Sequence, residues 1–482
     1  MHPNFKVRYS QMKILNKSYT VSLIVAIAFF MQGLDTTAVN TAVPAMAKSF
    51  GTDVVHLSAG VTSYLIALAI FIPVSGWIAD RFGTRKVFCL SIILFILAST
   101  LCGTSQNLTQ FVIFRIFQGM AGAMMTPVGR LAVLKTTPKE NLVTAMAYIT
   151  WPALVAPILG PLVGGYLTTY WHWHWIFYLN IPISIVCVVL AWHHIPEEKD
   201  DTPVKRHFDF VGFILSGLAL AGFMYGVELL SRTEVPYYVS GIVVLFSIGL
   251  LAFNIRYSRH ISNPLIDYSV IRIPTYRVTI FTGSISRMVI GVAPYLVPLM
   301  FQEGFGLSPF ESGTLFLATM AGNLVMKPAT IWIMRHYNFR TVLISNGFMV
   351  AVFTFFTALL LPATPVVLIV VVMFLSGMFR SMQFSAITTL AFADIPQPRM
   401  TAANTLYSTV QQMSTGMGIA MGAVFLRFSN MINGSTDHYS VADFRLAFIF
   451  VAILGIVSLY GYTKLTPDAG DVVRVKKRDR NQ

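Results

Sequence analysis

One ionisable side chain stands alone in the first apolar run of the chain: Asp35, within Val21–Val43. Carrying a carboxylate into a lipid-like interior costs at least about 2.5–3.5 kcal/mol on insertion scales. Such a group either meets a cation or takes up a proton, and switching between those states is proton chemistry. A fixed structural ion pair or a helix–helix hydrogen bond is the plainer use of the same residue. Arg115, in the fourth apolar run, is its natural counterpart. A guanidinium does not deprotonate, so Arg115 must face an interior or a wet cavity, or clamp a backbone carbonyl. Bond-making chemistry finds no support. There is no H-E-x-x-H pair, no G-x-S-x-G nucleophile, no paired carboxylates within apolar runs and no G-x-x-x-x-G-K-[ST] loop. No catalytic residue is expected, and neither an enzyme nor an ATP-driven pump.

Two further segments carry mechanical rather than chemical information. After the second apolar run the chain reads Gly76-Trp77-Ile78-Ala79-Asp80-Arg81-Phe82-Gly83-Thr84-Arg85-Lys86, the form G-x-x-x-D-R-x-G-x-R-K. Gly76 allows a close helix approach, and Gly83 allows the tight turn of a two-helix hairpin. Asp80 is placed to accept a charge-assisted bond from an arginine or a helix N-terminus. Arg81, Arg85 and Lys86 make the loop basic. In the fifth run, Gly160-Pro161-Leu162-Val163-Gly164-Gly165 puts two glycines four apart, the close-packing pattern of membrane helices. Pro157 and Pro161 remove backbone donors there and favour a bend.

These residues are positioned by long apolar elements. Fourteen runs are long enough to span a bilayer as helices: 21–43, 57–78, 87–105, 109–133, 142–169, 175–195, 211–231, 237–255, 276–301, 311–335, 341–361, 363–391, 403–428 and 443–463. The hydrophobic share of 55% and the charged share of 11% leave a soluble fold nowhere to put its apolar side chains. The mean hydropathy of +0.67 says the same. The net charge of +14 does not point to nucleic acid, because Lys and Arg sit in short segments between apolar runs. With the N-terminus inside, 25 of the 34 basic residues fall on the cytoplasmic side and 4, Lys48 among them, outside. Both termini are therefore expected in the cytoplasm. The first run has no cleavage site followed by a soluble domain, which marks it as a retained span. Short tails leave little room for the soluble domain of a receptor.

Longer polar stretches at His193–His207 and Arg256–Tyr276 bracket two central spans. The expected organisation is a tail (1–20), a six-helix bundle (21–195), two extra central helices (196–262), a second six-helix bundle (263–465) and a basic tail (466–482). Paired six-helix halves are a common transporter plan. Weak repeat support comes from Leu57-Ser58-Ala59-Gly60 against Leu307-Ser308-Pro309 with Ser312-Gly313.

The loop segment resembles the signature of the major facilitator superfamily. Helix 1, Leu34-Asp35-Thr36-Thr37-Ala38-Val39-Asn40-Thr41-Ala42-Val43-Pro44, is similar to that superfamily's fourteen-span drug:proton antiporter branch. So is helix 4, Arg115-Ile116-Phe117-Gln118-Gly119-Met120-Ala121-Gly122-Ala123, and so is the Gly160–Gly165 segment. One departure is Ala156-Pro157, where the family usually has Gly-Pro. The resemblance implies an all-α major facilitator fold of fourteen transmembrane helices in a bacterial inner membrane. It implies a monomer that exports drugs or organic anions by alternating access. A proton gradient, with no cofactor, supplies the energy. Asp35 and Arg115 would couple the protons, and the fifth helix would seal the cavity against leak. An uncoupled or importing carrier for a small organic anion is the competing reading. The partners expected are lipid, a small molecule and protons.

The second half departs from the pattern. Its loop copy, Arg335-His336-Tyr337-Asn338-Phe339-Arg340, has Arg335 for the acid and Asn338 for the glycine, and Asn tolerates a left-handed turn. Arg287, Lys327 and Arg380 lie in its spans. Lys327 and Arg287 are expected to snorkel toward span ends. Arg380 is deeper, beside Ser381, Gln383 and Ser385. Glu228 and Glu303 fall near periplasmic ends, leaving Asp35 as the one acid at depth, so the excess of cations favours an anionic substrate. Asn40, Gln118, Arg287, Arg380 and Gln383 are the candidate cavity residues. Cys89, Cys102 and Cys187 show no C-x-x-C spacing, and His172 and His174 sit among Trp171, Trp173 and Trp175 as an interfacial belt, so no metal is expected.

Overall fold

The structure, a computed structural model, describes residues 3–52, 54–197, 207–231, 235–434 and 439–473. Helices dominate, and no strand occurs among the described residues. The chain forms two compact units. The first comprises Met1–Tyr225, Phe246–Tyr268 and Pro396–Thr409. The second comprises Gly226–Leu245, Ser269–Ile395 and Val410–Gln482.

The first unit holds α1 (Pro3–Phe50), α2 (Val54–Phe71), α3 (Val74–Phe82), α4 (Thr84–Gly103), α5 (Leu108–Thr136), α6 (Leu142–Tyr170), α7 (Trp175–Tyr178) and α8 (Asn180–His194). Helix α9 (Phe210–Ser231) enters it up to Tyr225, and α10 (Tyr237–Ser258) from Phe246. The first span is therefore part of a much longer helix. Pro44 sits within it, and Lys48, expected in an outside loop, lies in its last turn. The second span is broken. Pro73 supplies no N–H to continue the ladder, and α2 and α3 meet at 58°. Asn107 caps α5 by accepting from the Gln110 N–H at 2.9 Å.

The second unit holds α11 (Pro274–Leu299), which ends in a π turn at Met300–Gly304, then α12 (Pro309–His336), α13 (Phe339–Ala358), α14 (Val366–Ala393), most of α15 (Met400–Asn433) and α16 (Val441–Tyr462). Two helix starts carry capping boxes, Ser308 with Glu311 and Ser440 with Asp443. Asn338 does not take a left-handed turn. Its φ is −73°, and its side chain accepts from the Thr341 N–H at 2.8 Å as the N-cap of α13. Gly83, by contrast, has φ +85°, as its motif requires.

The two units share several pairings. In the first, α1 lies along α6, α2 along α5, and α4 packs on α5 and α8. In the second, α12 lies along α14, and α13 packs on α14 and α16. Glycines bring the lengthwise pairs together. Gly119 faces the Tyr64 carbonyl, Gly377 the Thr319 carbonyl and Gly418 the Met288 carbonyl of α11. The segments that sequence likened, 57–60 and 307–313, both lie at a helix start, of α2 and α12, but their glycines do not match in packing: Gly60 faces the Phe111 ring. Gly313 has open space around it, and Gly322 and Gly377 carry the approach. Ten helices are long and apolar enough to cross a membrane among the described residues, eleven if the bent α2–α3 pair is one span.

Candidate functional site

Asp35 lies in α1, midway along its apolar stretch Ser18–Phe50, and is 1% exposed. Its environment follows from which helices α1 touches: α5 brings Arg115 and Gln118 one turn apart, and α8 brings Asn180. Arg115 Nη1 donates to Asp35 Oδ2 at 2.9 Å. Gln118 Nε2 donates to Asp35 Oδ1 at 3.0 Å, and Asn180 Nδ2 donates to the same oxygen at 2.8 Å. The carboxylate thus receives three hydrogen bonds and one full counter-charge, which is what a buried anion needs.

The arginine is held independently of the carboxylate. Its Nη1 also donates to Gln118 Oε1 at 2.6 Å, and its Nε to the Gly60 carbonyl at 3.4 Å. The guanidinium lies over the Tyr64 ring, 4.3 Å from the centroid. Tyr64 accepts from Gln32 Nε2 through its hydroxyl at 3.0 Å. Asn180 is fixed on its far side by donating to Ser99 Oγ at 3.1 Å, and Ser99 donates to the Phe177 carbonyl at 3.0 Å. The Asn180 Oδ1 oxygen accepts no hydrogen bond. Sequence reasoning paired Asp35 with Arg115 but put Gln118 among the cavity candidates, whereas that residue bridges the pair. It missed Asn180, whose signal is a polar residue opening an otherwise apolar helix. Asn40 stands apart: it is exposed and lies outside this cluster.

The loop segment acts as a packing device. A Cβ on Gly76 would fall 2.2 Å from Thr405 Oγ1 in the first turns of α15, which belong to the same unit. Asp80 Oδ1 accepts from Thr401 Oγ1 at 2.8 Å, in the first turn of α15. Arg81 lies over the Trp77 ring at 5.3 Å. Arg85 and Lys86 pair with Glu197 at 2.8 and 3.2 Å. The hydrogen bond from Lys86 and the charge of Arg85 hold the Glu197 carboxyl below the usual range.

On α6, a Cβ at Gly160 would fall 1.9 Å from Thr37 Oγ1, and one at Gly164 would fall 2.7 Å from the Ala38 carbonyl of α1. Gly165 faces open space. The two glycines four apart therefore do bring helices together, as their spacing predicts. The side chains at 157 and 161 lie outside the described residues.

The remaining candidates lie in the second unit. Arg287 is 2% exposed and donates to the Thr279 carbonyl at 3.2 Å and to Ser284 Oγ at 3.4 Å. Lys327 is 4% exposed and donates to Ser385 Oγ at 2.7 Å. Neither head group reaches the surface: Ser385 of α14 holds Lys327, and Arg287 reaches back along its own helix towards the start of α11 but stays buried. Arg380 is 5% exposed. Gln383 accepts from Asn346 Nδ2 at 2.9 Å and donates to the Leu343 carbonyl at 3.3 Å.

Long apolar helices that hold their few charged groups inside define a multi-pass membrane protein. Comparison with known proteins narrows this. The description of the Major Facilitator Superfamily matches residues 25–419. A protein of Serratia proteamaculans that carries the name multidrug resistance protein MdtD is 35% identical over 423 residues, covering 87% of this chain and 86% of its own. Its namesake in Enterobacter sp. strain 638 is 32% identical over 461 residues, 95% and 97% of the two chains. Among solved structures, the proton:xylose symporter XylE superposes with a TM-score of 0.64 at 13% identity, covering 95% of this chain and 99% of that one. The human organic anion transporter MFSD10 also gives 0.64, at 11% identity over 93% and 98%. The chain belongs to the Major Facilitator Superfamily. It is a transporter of small molecules rather than an enzyme.

Proposed function

We propose that the chain is a fourteen-span antiporter of the bacterial inner membrane. It exports small molecules, drugs or organic anions, against inward proton movement by alternating access. It works as a monomer without a cofactor, with both termini cytoplasmic. The count is supported by the ten spanning helices, the bent α2–α3 pair, and the further helices α6, α12 and α15 of 29, 28 and 34 residues. Export is supported by the multidrug resistance names of the relatives. The basic residues favour cytoplasmic termini.

The single observation that carries the coupling is the buried Asp35 carboxylate shared by Arg115, Gln118 and Asn180. Protonation of Asp35 removes the charge attraction. Arg115 then loses its counter-charge but keeps other contacts, Gln118, the Gly60 carbonyl and the Tyr64 ring. The neutral carboxyl needs an acceptor for its new O–H, and the free Asn180 Oδ1 supplies one by rotation of that amide. The site thus offers two hydrogen-bonded arrangements differing by one proton, the neutral one without a counter-charge for Arg115, and that difference in stability is what can bias a coupled carrier between its access states. The Gly160 and Gly164 contacts hold α6 against α1 along this stretch and support a seal beside it.

The test is uptake of ethidium and of benzoate, one at a time, into proteoliposomes of the full chain with an acidic lumen. Uptake of at least one compound is expected to need the gradient and to collapse with a protonophore. Equal uptake with and without the gradient would make an uncoupled carrier the right reading.

A further inference from the structure

The two units treat a buried guanidinium differently. In the first, Arg115 has a carboxylate at 2.9 Å. In the second, Arg380 on α14 has none within ion-pair distance among the described residues. It donates one long hydrogen bond, from Nη2 to Thr354 Oγ1 at 3.5 Å, and its Nε has no acceptor. A guanidinium offers five N–H donors and keeps its charge. Burying one with a single weak bond and no counter-charge is costly.

The same band of α14 collects further cationic and polar groups. Lys327 of α12 meets it at Ser385. Gly283 of α11 packs on Ile387, with Arg287 beside that contact. Residues 380–387 cover about 10 Å of helix, so three buried cations lie along the same two turns, Lys327 meeting a different face of α14 from the one Arg380 occupies. On the α13 side, Asn346 donates to Gln383 and to the Phe379 carbonyl, while its own Oδ1 accepts nothing. The acid buried in this unit among the described residues, Asp443, is engaged by Ser440 and Asn433 as the cap of α16. The unit therefore carries positive charge at depth that its own side chains leave uncompensated at Arg380.

We propose that Arg380 is the anchor of an anion subsite in the second unit, one that takes the carboxylate of a small organic acid, with Lys327 reinforcing the field. A planar carboxylate matches the guanidinium fork and would satisfy donors that now have no partner. The bound anion is taken as substrate on the strength of the transport reading above. Its binding is measurable without transport. An anionic lipid headgroup offers the same chemistry, and the experiment separates the two.

The full chain is reconstituted in nanodiscs of phosphatidylcholine alone. Its thermal midpoint is followed against benzoate, succinate and the neutral analogue benzamide, for the native protein, Arg380→Gln and Arg380→Lys. Native protein is expected to be stabilised by a carboxylate and not by benzamide. Arg380→Gln is expected to weaken that binding roughly ten- to a hundred-fold, the loss of charge-assisted hydrogen bonds. Without ligand, Arg380→Gln is expected to melt no lower than native, since it removes an uncompensated charge. Arg380→Lys keeps the charge but loses the fork, and its affinity falls in between. Unchanged carboxylate binding in either variant would overturn the subsite, as would stabilisation by added phosphatidylglycerol alone. Carboxylate binding through Arg380 with no proton flux would leave the subsite standing and sink antiport. Proton-coupled uptake of ethidium with no carboxylate binding would do the reverse.

Discussion

Asp35→Asn will destabilise the fold by about 3–5 kcal/mol, the cost of leaving one member of a buried ion pair without its partner. Arg115 cannot shed its proton, so the variant keeps a charged group that is 0% exposed and has lost its counter-charge. Arg115→Gln will cost less, because the remaining carboxyl neutralises itself by taking up a proton. The double variant Asp35→Asn/Arg115→Gln will recover much of the loss, since both charges leave together. Thermal midpoints in one detergent, measured for all four proteins, give the cycle. A double variant less stable than Asp35→Asn would contradict the pair as drawn.

The second large effect is mechanical. A Cβ on Gly322 would fall 1.9 Å from the Phe374 carbonyl oxygen and 2.9 Å from its carbon. One on Gly377 would fall 2.0 Å from the Thr319 oxygen and 2.8 Å from its carbon. Both obstacles are backbone, so no rotamer change relieves them, and α12 must move off α14. Gly322→Ala and Gly377→Ala are each expected to cost about 3 kcal/mol, the upper end of ordinary overpacking. The double variant will cost less than the sum, because the first separation makes room for the second. Gly313→Ala, on the same α12 but facing open space, will be neutral or stabilising through the helix preference of alanine. Thermal midpoints decide it: equal losses at Gly313 and Gly322 would mean that the helices do not approach there.

The sequence made some of this legible and hid the rest for physical reasons. A lone acid in one apolar run and an arginine early in another point to each other, because a buried charge is least costly beside its opposite. Asn180 carries no charge, so nothing in the sequence forces a partner on it. Its bond to Asp35 spans 145 positions and exists only once α8 packs on α1. Pro73 was a visible break signal, yet hydropathy alone runs across it, which is why a single span was expected where two helices meet at 58°. Asn338 tolerates a left-handed turn but is a still better N-cap, and the cap is what the chain uses. Lys327 and Arg287 have stems long enough to snorkel. That they stay inside depends on polar groups placed beside them by the folded helices, such as Ser385 one helix away, and apolar patterning does not record those placements.

The most direct test of the coupling role of Asp35 is proton movement itself, followed with a pH-sensitive dye trapped in proteoliposomes. A transported compound is added to the native protein, to Arg115→Gln and to the double variant Asp35→Asn/Arg115→Gln, the last chosen because it is expected to fold. The compound should set protons moving in the native protein and leave the dye unchanged in the double variant. If the double variant moves as many protons per molecule transported as the native protein, Asp35 is not the coupling site.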